Sequence, residues 1–239
     1  MINLSEKLDI IAENEPKVYE AGRADENKAF WDNLTNNNTR TFWEYGFYQG
    51  NFEYIRPPYK ISVGSDSRTM LMFSKIKNLK RIEKDYFDLS QANIMDGYGN
   101  YAVYRNSNQL EVIEDVGLQP AIYYQTFAYC QHLHTIELIR VSKENTFSDT
   151  FSWCYALENV TFEGEIGKSI DFKNCPLNLK SAKSVITHLV DYDGLAEAYV
   201  YSVTFSDTTW AYLDADEGIT NNGTHYSWRD FISRLGWEA

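Results

Sequence analysis

The sequence predicts an α/β solenoid in which short parallel strands stack one above the next. One phrase occurs twice, at residues 127–138 and 151–162, and both copies read Phe-x-x-Cys-x-x-Leu-x-x-(Ile/Val)-x-(Leu/Phe). The step from residue 127 to residue 151 is 24 residues. A period in the twenties with this core is typical of leucine-rich-repeat solenoids, whose units stack because none of them can bury its own apolar side.

The same phase extends beyond these two copies. An aromatic side chain marks each unit, at Phe73, Tyr104, Phe127, Phe151 and Phe172. In the first four units a leucine follows, and then a β-branched residue, at Leu79 and Ile82, Leu110 and Ile113, Leu133 and Ile136, and Leu157 and Val160. The aromatics are spaced by 31, 23, 24 and 21 residues, which predicts about five units over 70–180 and an insertion around 93–99. We expect each Leu-x-x-Ile-x-Leu piece to be a strand with alternate residues inward, and each Phe-x-x-Cys piece to be a turn or short helix.

Charge and cysteine usage exclude several classes of protein. The 239 residues carry a net charge of −12, and a field of that sign repels phosphate backbones, so we expect no nucleic-acid partner. No apolar run approaches the roughly 20 residues that span a membrane, and residues 1–7 lack the features of a secretion signal. Cys130, Cys154 and Cys175 share one repeat phase, which predicts a small buried column rather than a disulfide framework or a zinc site. We expect no cofactor.

Residues 1–35 are predicted to be helical, with a break at Pro16. Their apolar seam is formed by Leu4, Leu8, Ile11 and Val18. The seam could pack on the chain's own repeats or pair with copies of itself as a short coiled coil, which would make this segment an oligomerisation or attachment site.

Residues 36–69 are dense in aromatics between 41 and 59. An end unit of a solenoid has no neighbour to bury its apolar side, so we interpret this segment as an N-terminal cap. The alternative is a carbohydrate platform, because exposed aromatic rings stack on sugars.

Residues 181–239 are predicted to form a C-terminal α/β cap. A helix at 181–189 has Ser181 as its predicted N-cap, and a strand follows at 199–205. Helices at 208–214 and 227–235 are joined by a turn-rich connection at 218–223. Ser227 and Asp230 have the spacing of a helix start, and Gly236 fits the stop.

The units between residues 70 and 179 resemble the BspA-type leucine-rich repeat, in which an aromatic and a small polar or Cys segment precede Leu-x-x-Ile. Residues 11–22 and 228–237 are similar to the two ends of small repeat proteins encoded by phages and prophages of gut Firmicutes. This resemblance implies a phage-structural or surface-recognition role, in a virion-associated or extracellular setting. It transfers no catalytic residues.

One repeat phase predicts a candidate binding face. The residues that follow each β-branched position are Glu83, Glu114, Glu137 and Thr161, and His134 and Glu158 lie nearby in the sequence. Adjacent rungs are about 4.8 Å apart, so like charges there cost stability unless the face is solvated or a cation or basic partner neutralises it. A solvated face and a recognition strip both stay open. A flat ladder offers no cleft for a glycosidase pair of carboxyls.

Two further patterns resemble metal sites and are rejected. His132 and His134 would point the same way on a strand, but no third ligand is in view and both should face solvent. An EF-hand loop starting at Asp214 requires Gly and Glu where the chain has Ile219 and His225. Without a motif for a nucleophile, phosphate or zinc, we expect a non-enzymatic module that presents a repeat face to a protein or glycan. The alternatives are a bacterial surface adhesin domain or a carbohydrate-binding protein.

Overall fold

The computed structural model describes residues 55, 60–62, 72–88, 103–115, 123–196, 198 and 200–239. They form a mixed α/β fold with a parallel sheet and few helices. The strands are β1 Ile61–Ser62, β2 Arg81–Ile82, β3 Phe87–Asp88, β4 Val112–Ile113, β5 Thr135–Val141, β6 Asn159–Gly164, β7 Ile170–Phe172, β8 Val203–Phe205, β9 Ile219–Asn221 and β10 Thr224–Tyr226. The helices are α1 Leu179–Thr187, α2 Asp207–Ala215 and α3 Trp228–Arg234. None of these described helices has the length and apolarity needed to cross a membrane.

The main sheet is parallel and has the order β2-β4-β5-β6. Its register places the four β-branched residues of the repeat phase opposite one another, at Ile82, Ile113, Ile136 and Val160. The four leucines of the phase are completely buried. The spacing of apolar residues therefore located the core side of these units correctly.

The prediction of simple alternation fails in β5. Ile136 pairs with Val160 but Ile139 pairs with Phe162, so β5 contains one extra residue at this point. Such a bulge puts two residues opposite one and reverses the facing of the later residues of the strand. Ile139 is therefore buried, whereas Leu138, which the repeat places inward, is only half-buried.

The Phe-x-x-Cys segments are turns, and their aromatics form a continuous stack. Parallel rings join neighbouring units, with centroids 5.5 Å apart for Phe73 and Tyr104, and again for Tyr104 and Phe127. The stack continues through Phe151 and Phe172. Offset stacking of buried rings adds to the energy gained from their burial, so this column ties each unit to the next.

The predicted cysteine column is confirmed: Cys130, Cys154 and Cys175 are free and buried. Burial raises the pKa of Cys130 to about 12 and raises the pKa of the other two thiols as well. Cys130 donates to the carbonyl of Tyr104 at 2.9 Å, in the preceding unit. The column is therefore structural, since a neutral buried thiol is a weak nucleophile.

The last two helices begin directly after serine N-caps, Ser206 and Ser227. Helices α2 and α3 confirm the prediction, and the Ser227 side chain accepts from the backbone N–H of Asp230. Gly236 has a φ of 78°, the left-handed conformation that commonly ends a helix. Of the strand predicted at 199–205, the last three residues form β8, which pairs in parallel with β7.

The predicted cap of α1 is wrong. The N-cap is Asn178, whose side chain accepts from the N–H of Ser181. The Ser181 hydroxyl instead accepts the N–H of Val160 at 2.9 Å, and Ser184 accepts that of Phe162 at 3.2 Å. Strand β6 is the edge of the sheet, and its amide groups need acceptors. Helix α1 covers this edge with its serines.

The connection at 218–223 is more than a turn. Strands β9 and β10 pair antiparallel, and Asn222 and Gly223 between them have φ values of 47° and 79°. Positive φ at both central residues is the type I′ geometry that Asn-Gly favours. The segment is therefore a β-hairpin.

Three predictions fall on residues outside the described ranges. They are the helical seam of 1–35, most of the aromatic segment 36–69, and the insertion around 93–99.

Candidate functional site

Two glutamates of the predicted face form ion pairs with an arginine of the same chain. Arg81 donates through Nε to Glu114 at 2.8 Å, and its Nη2 lies 3.6 Å from Glu137. Glu83, Glu114 and Glu137 all help to raise the pKa of Arg81, and the hydrogen bond with Glu114 contributes most. Thr161, at the same phase, is exposed. The three glutamates of the face therefore interact electrostatically with one guanidinium group of the same chain.

Two carboxyl groups on this side, those of Glu111 and Glu114, have lowered pKa values. Burial raises the pKa of Glu114, but hydrogen bonds from Arg81 and from the backbone N–H of Lys84 outweigh it, and the pKa is lowered. The hydrogen bond from Lys80, at 2.8 Å, lowers the pKa of Glu111. A glycosidase acid requires a raised pKa, so neither group suits that role.

His134 and Glu158 lie in the neighbouring row of this face. The two residues are exposed and occupy the same phase as Lys80 and Glu111. The His134 carbonyl accepts the N–H groups of Glu158 and Asn159, so its backbone holds two units together. The row combines a lysine, two glutamates and a histidine, a polar composition that is typical of a solvated face.

The prediction that His132 and His134 face solvent is confirmed. His134 Nδ1 lies 2.9 Å from the hydroxyl of Thr135. Within the described ranges, no group of three His, Cys, Asp or Glu side chains could hold a metal ion.

The turn side carries a feature that the sequence analysis did not select. The rings of Tyr129 and Trp153 are parallel, with centroids 5.8 Å apart. Tyr155 stands at 77° to Trp153 at 5.7 Å, and the Arg105 guanidinium lies 5.4 Å from the centroid of Tyr129. We call Arg105, Tyr129, Trp153 and Tyr155 the aromatic patch. Trp153 and Tyr155 are 45% and 49% exposed, which is unusual for side chains of this size.

The backbone beneath the aromatic patch is strained. Tyr129 and Trp153 have φ values of 64° and 65°. The left-handed region costs an L-residue roughly 1–2 kcal/mol, and bulky side chains are rare there. Lys75 and Asn106, at the same phase of earlier units, share this conformation with φ values of 58° and 60°. The repeat turn therefore requires a left-handed residue, and two units place a large ring there.

A signal for the aromatic patch was present in the sequence. Tyr129 and Trp153 lie two residues after the phase aromatics Phe127 and Phe151, one in each copy of the repeated phrase. Periodicity alone assigns such rings to the core as readily as to the surface. The left-handed turn, which directs them outward, became visible only in the structure.

Comparison with known proteins gives no family for the chain. Comparison with protein-family models, curated proteins and solved structures finds no match.

Proposed function

We propose that the protein is a non-enzymatic recognition module, built as a BspA-type leucine-rich-repeat solenoid and presenting one face to a protein or glycan on a cell surface. The observation that carries the proposal is the aromatic patch. Tyr, Trp and Arg dominate binding hot spots because they bury much area at little cost in conformational entropy. Here four such side chains cluster on one surface, and two of them stand on a left-handed backbone that disfavours bulky rings.

The rest of the described chain supports a scaffold role. Stacked rings run from Phe73 to Phe172, and turn amides donate from each unit to the next, as Tyr129 does to Ser152 at 2.9 Å. Rigid elements hold a binding surface in place and reduce the entropy lost on association. A packed array of this kind presents a preformed face.

The resemblance of residues 11–22 and 228–237 to phage- and prophage-encoded proteins supports a virion-associated or extracellular setting. In this proposal, residues 1–35 attach the module or join its copies through Leu4, Leu8, Ile11 and Val18. The glutamate face with Glu83, Glu114 and Glu137 is a secondary candidate surface, because two of its carboxylates already form ion pairs with Arg81.

The test is binding of the fluorescently labelled full chain to a panel of gut Firmicutes cells, measured by flow cytometry. We expect the double variant Trp153→Ala, Tyr155→Ala to lower cell binding at least tenfold. The matched control is Tyr212→Ala, which removes an aromatic ring of 47% exposure from helix α2. Equal binding by the double variant and the wild type would rule out the aromatic patch as the recognition surface.

A further inference from the structure

The aromatic patch continues into a longer surface along the repeat. Each turn contributes two residues to this surface, at the positions two and four residues after the aromatic that marks the unit. The first row contains Lys75, Asn106, Tyr129 and Trp153, and the second contains Lys77, Asn108, Gln131 and Tyr155. We call Asn106, Asn108, Tyr129, Gln131, Trp153 and Tyr155 the turn strip.

Backbone hydrogen bonds hold the units of the turn strip in register. Asn106 donates its N–H to the carbonyl of Ala128 at 3.0 Å, and Tyr129 donates to that of Ser152 at 2.9 Å. Asn108, Gln131 and Tyr155 are exposed, and Asn106 and Tyr129 are half-buried. The strip therefore grades from amides at one end to rings at the other.

This composition favours a saccharide over a protein as the partner. A stable protein interface covers about 800 Å² on each side and has an apolar core. The large exposed apolar side chains of the strip are Trp153 and Tyr155, and the positions that precede them in each row include amides. Amides donate and accept at once, so they match hydroxyl groups, which do the same.

We infer that the turn strip binds a linear, hydroxyl-rich oligosaccharide laid along the stacking direction of the units. This inference rests on the proposed recognition function. The apolar C–H face of one sugar ring packs against the exposed surfaces of Trp153 and Tyr155, whose rings are in edge contact at 77°. Hydroxyl groups of the following sugars hydrogen-bond to Gln131 and then to Asn108. Successive units lie about 4.8 Å apart, which is comparable to the length of one sugar ring.

The experiment uses the labelled full chain and cells that bind it. One portion of the cells is treated with periodate, which cleaves the vicinal diols of sugars, and another with proteinase K. We expect periodate to lower binding at least tenfold and proteinase K to leave it within twofold. On an array of phosphate-free oligosaccharides, Gln131→Ala should bind at least threefold more weakly than the wild type, whereas Tyr212→Ala should match the wild type.

The opposite pattern of cell treatments separates the two proposals. Loss of binding after proteinase K alone, with the double variant Trp153→Ala, Tyr155→Ala defective in cell binding, would mean that the ligand is a protein. The recognition function would then stand and the saccharide inference would fail. A wild-type chain that binds neither cells nor any saccharide on the array would overturn both.

Discussion

The thiol of Cys154 donates a hydrogen bond to the carbonyl oxygen of Phe127, 3.0 Å away in the preceding unit. Ser107 makes the same contact with Phe73 at 2.6 Å, so a hydroxyl replaces the thiol at this phase elsewhere in the repeat. We expect Cys154→Ser to change the free energy of unfolding by less than about 1 kcal/mol. Cys154→Ala should cost about 2 kcal/mol, because it removes the buried sulfur and its hydrogen bond and leaves the N–H of Cys130 as the donor to this carbonyl. Chemical denaturation measures both, and equal costs would show that the hydrogen bond contributes nothing.

Tyr104 is the one hydroxylated ring in the buried column that runs from Phe73 to Phe172. Its Oη is buried and has no hydrogen-bond partner among the residues that the structure describes, and burial raises the pKa of the hydroxyl well above its usual value. An unsatisfied buried hydroxyl costs about 1–3 kcal/mol, so Tyr104→Phe should raise the free energy of unfolding by about 1 kcal/mol. Tyr123→Phe is the matched control, since Tyr123 donates to the carbonyl of Arg140 at 2.5 Å and its loss should destabilise. Destabilisation by both variants would contradict the assignment.

Glu114 makes stability depend on pH in the acidic range. Its pKa in the folded chain lies below the ordinary value of 4.5, so its contribution is complete above that pH and is lost as pH falls through the folded-state pKa. We expect Glu114→Gln to cost about 1–2 kcal/mol at pH 7 and progressively less below pH 4.5, in urea unfolding across pH. Glu165→Gln, at an exposed position outside this cluster, should leave the pH profile unchanged. A Glu114→Gln cost that is constant with pH would exclude the ion pair as its origin.

Trp153 is expected to serve binding more than stability. Trp153→Asn should relieve roughly 1–2 kcal/mol of left-handed strain, since Asn tolerates that conformation and Asn106 already adopts it. The lost stack on Tyr129 is worth about 0.5–1.5 kcal/mol. The two effects nearly cancel, so denaturant unfolding should agree with the wild type within about 1 kcal/mol while cell binding falls. A stability loss above about 2 kcal/mol would identify Trp153 as a structural residue.

The N-terminal seam is tested by mass. We expect light scattering of the full chain to give an oligomer, and the variant Leu8→Ser, Ile11→Ser to give a monomer, because the seam loses its apolar contacts. Glu6→Gln is the control and should retain the wild-type mass. A monomeric wild type would leave residues 1–35 without an oligomerisation role.

The buried side of the repeat was predictable from the sequence. Leucines and β-branched residues at fixed spacing must share a face once their strands align, and the register of Ile113 with Ile136 confirms this. The cysteine column and the helices α2 and α3 followed from equally local rules of phase and capping. The Asn-Gly pair at 222–223 also favours a β-hairpin, so the hairpin that replaces the predicted turn could have been predicted from the sequence.

The grouping of exposed side chains, in contrast, depends on the tertiary structure. Arg81 forms ion pairs with Glu114 and Glu137 in other units. Ser181 does not cap helix α1 as predicted, and its hydroxyl instead accepts the N–H of Val160. These contacts join residues more than 20 positions apart, so they depend on register and on the length of each connection. The outward direction of Trp153 depends on a left-handed turn that apolar spacing does not encode. Local pattern fixes which residues are buried, whereas the surface is set by how the units stack.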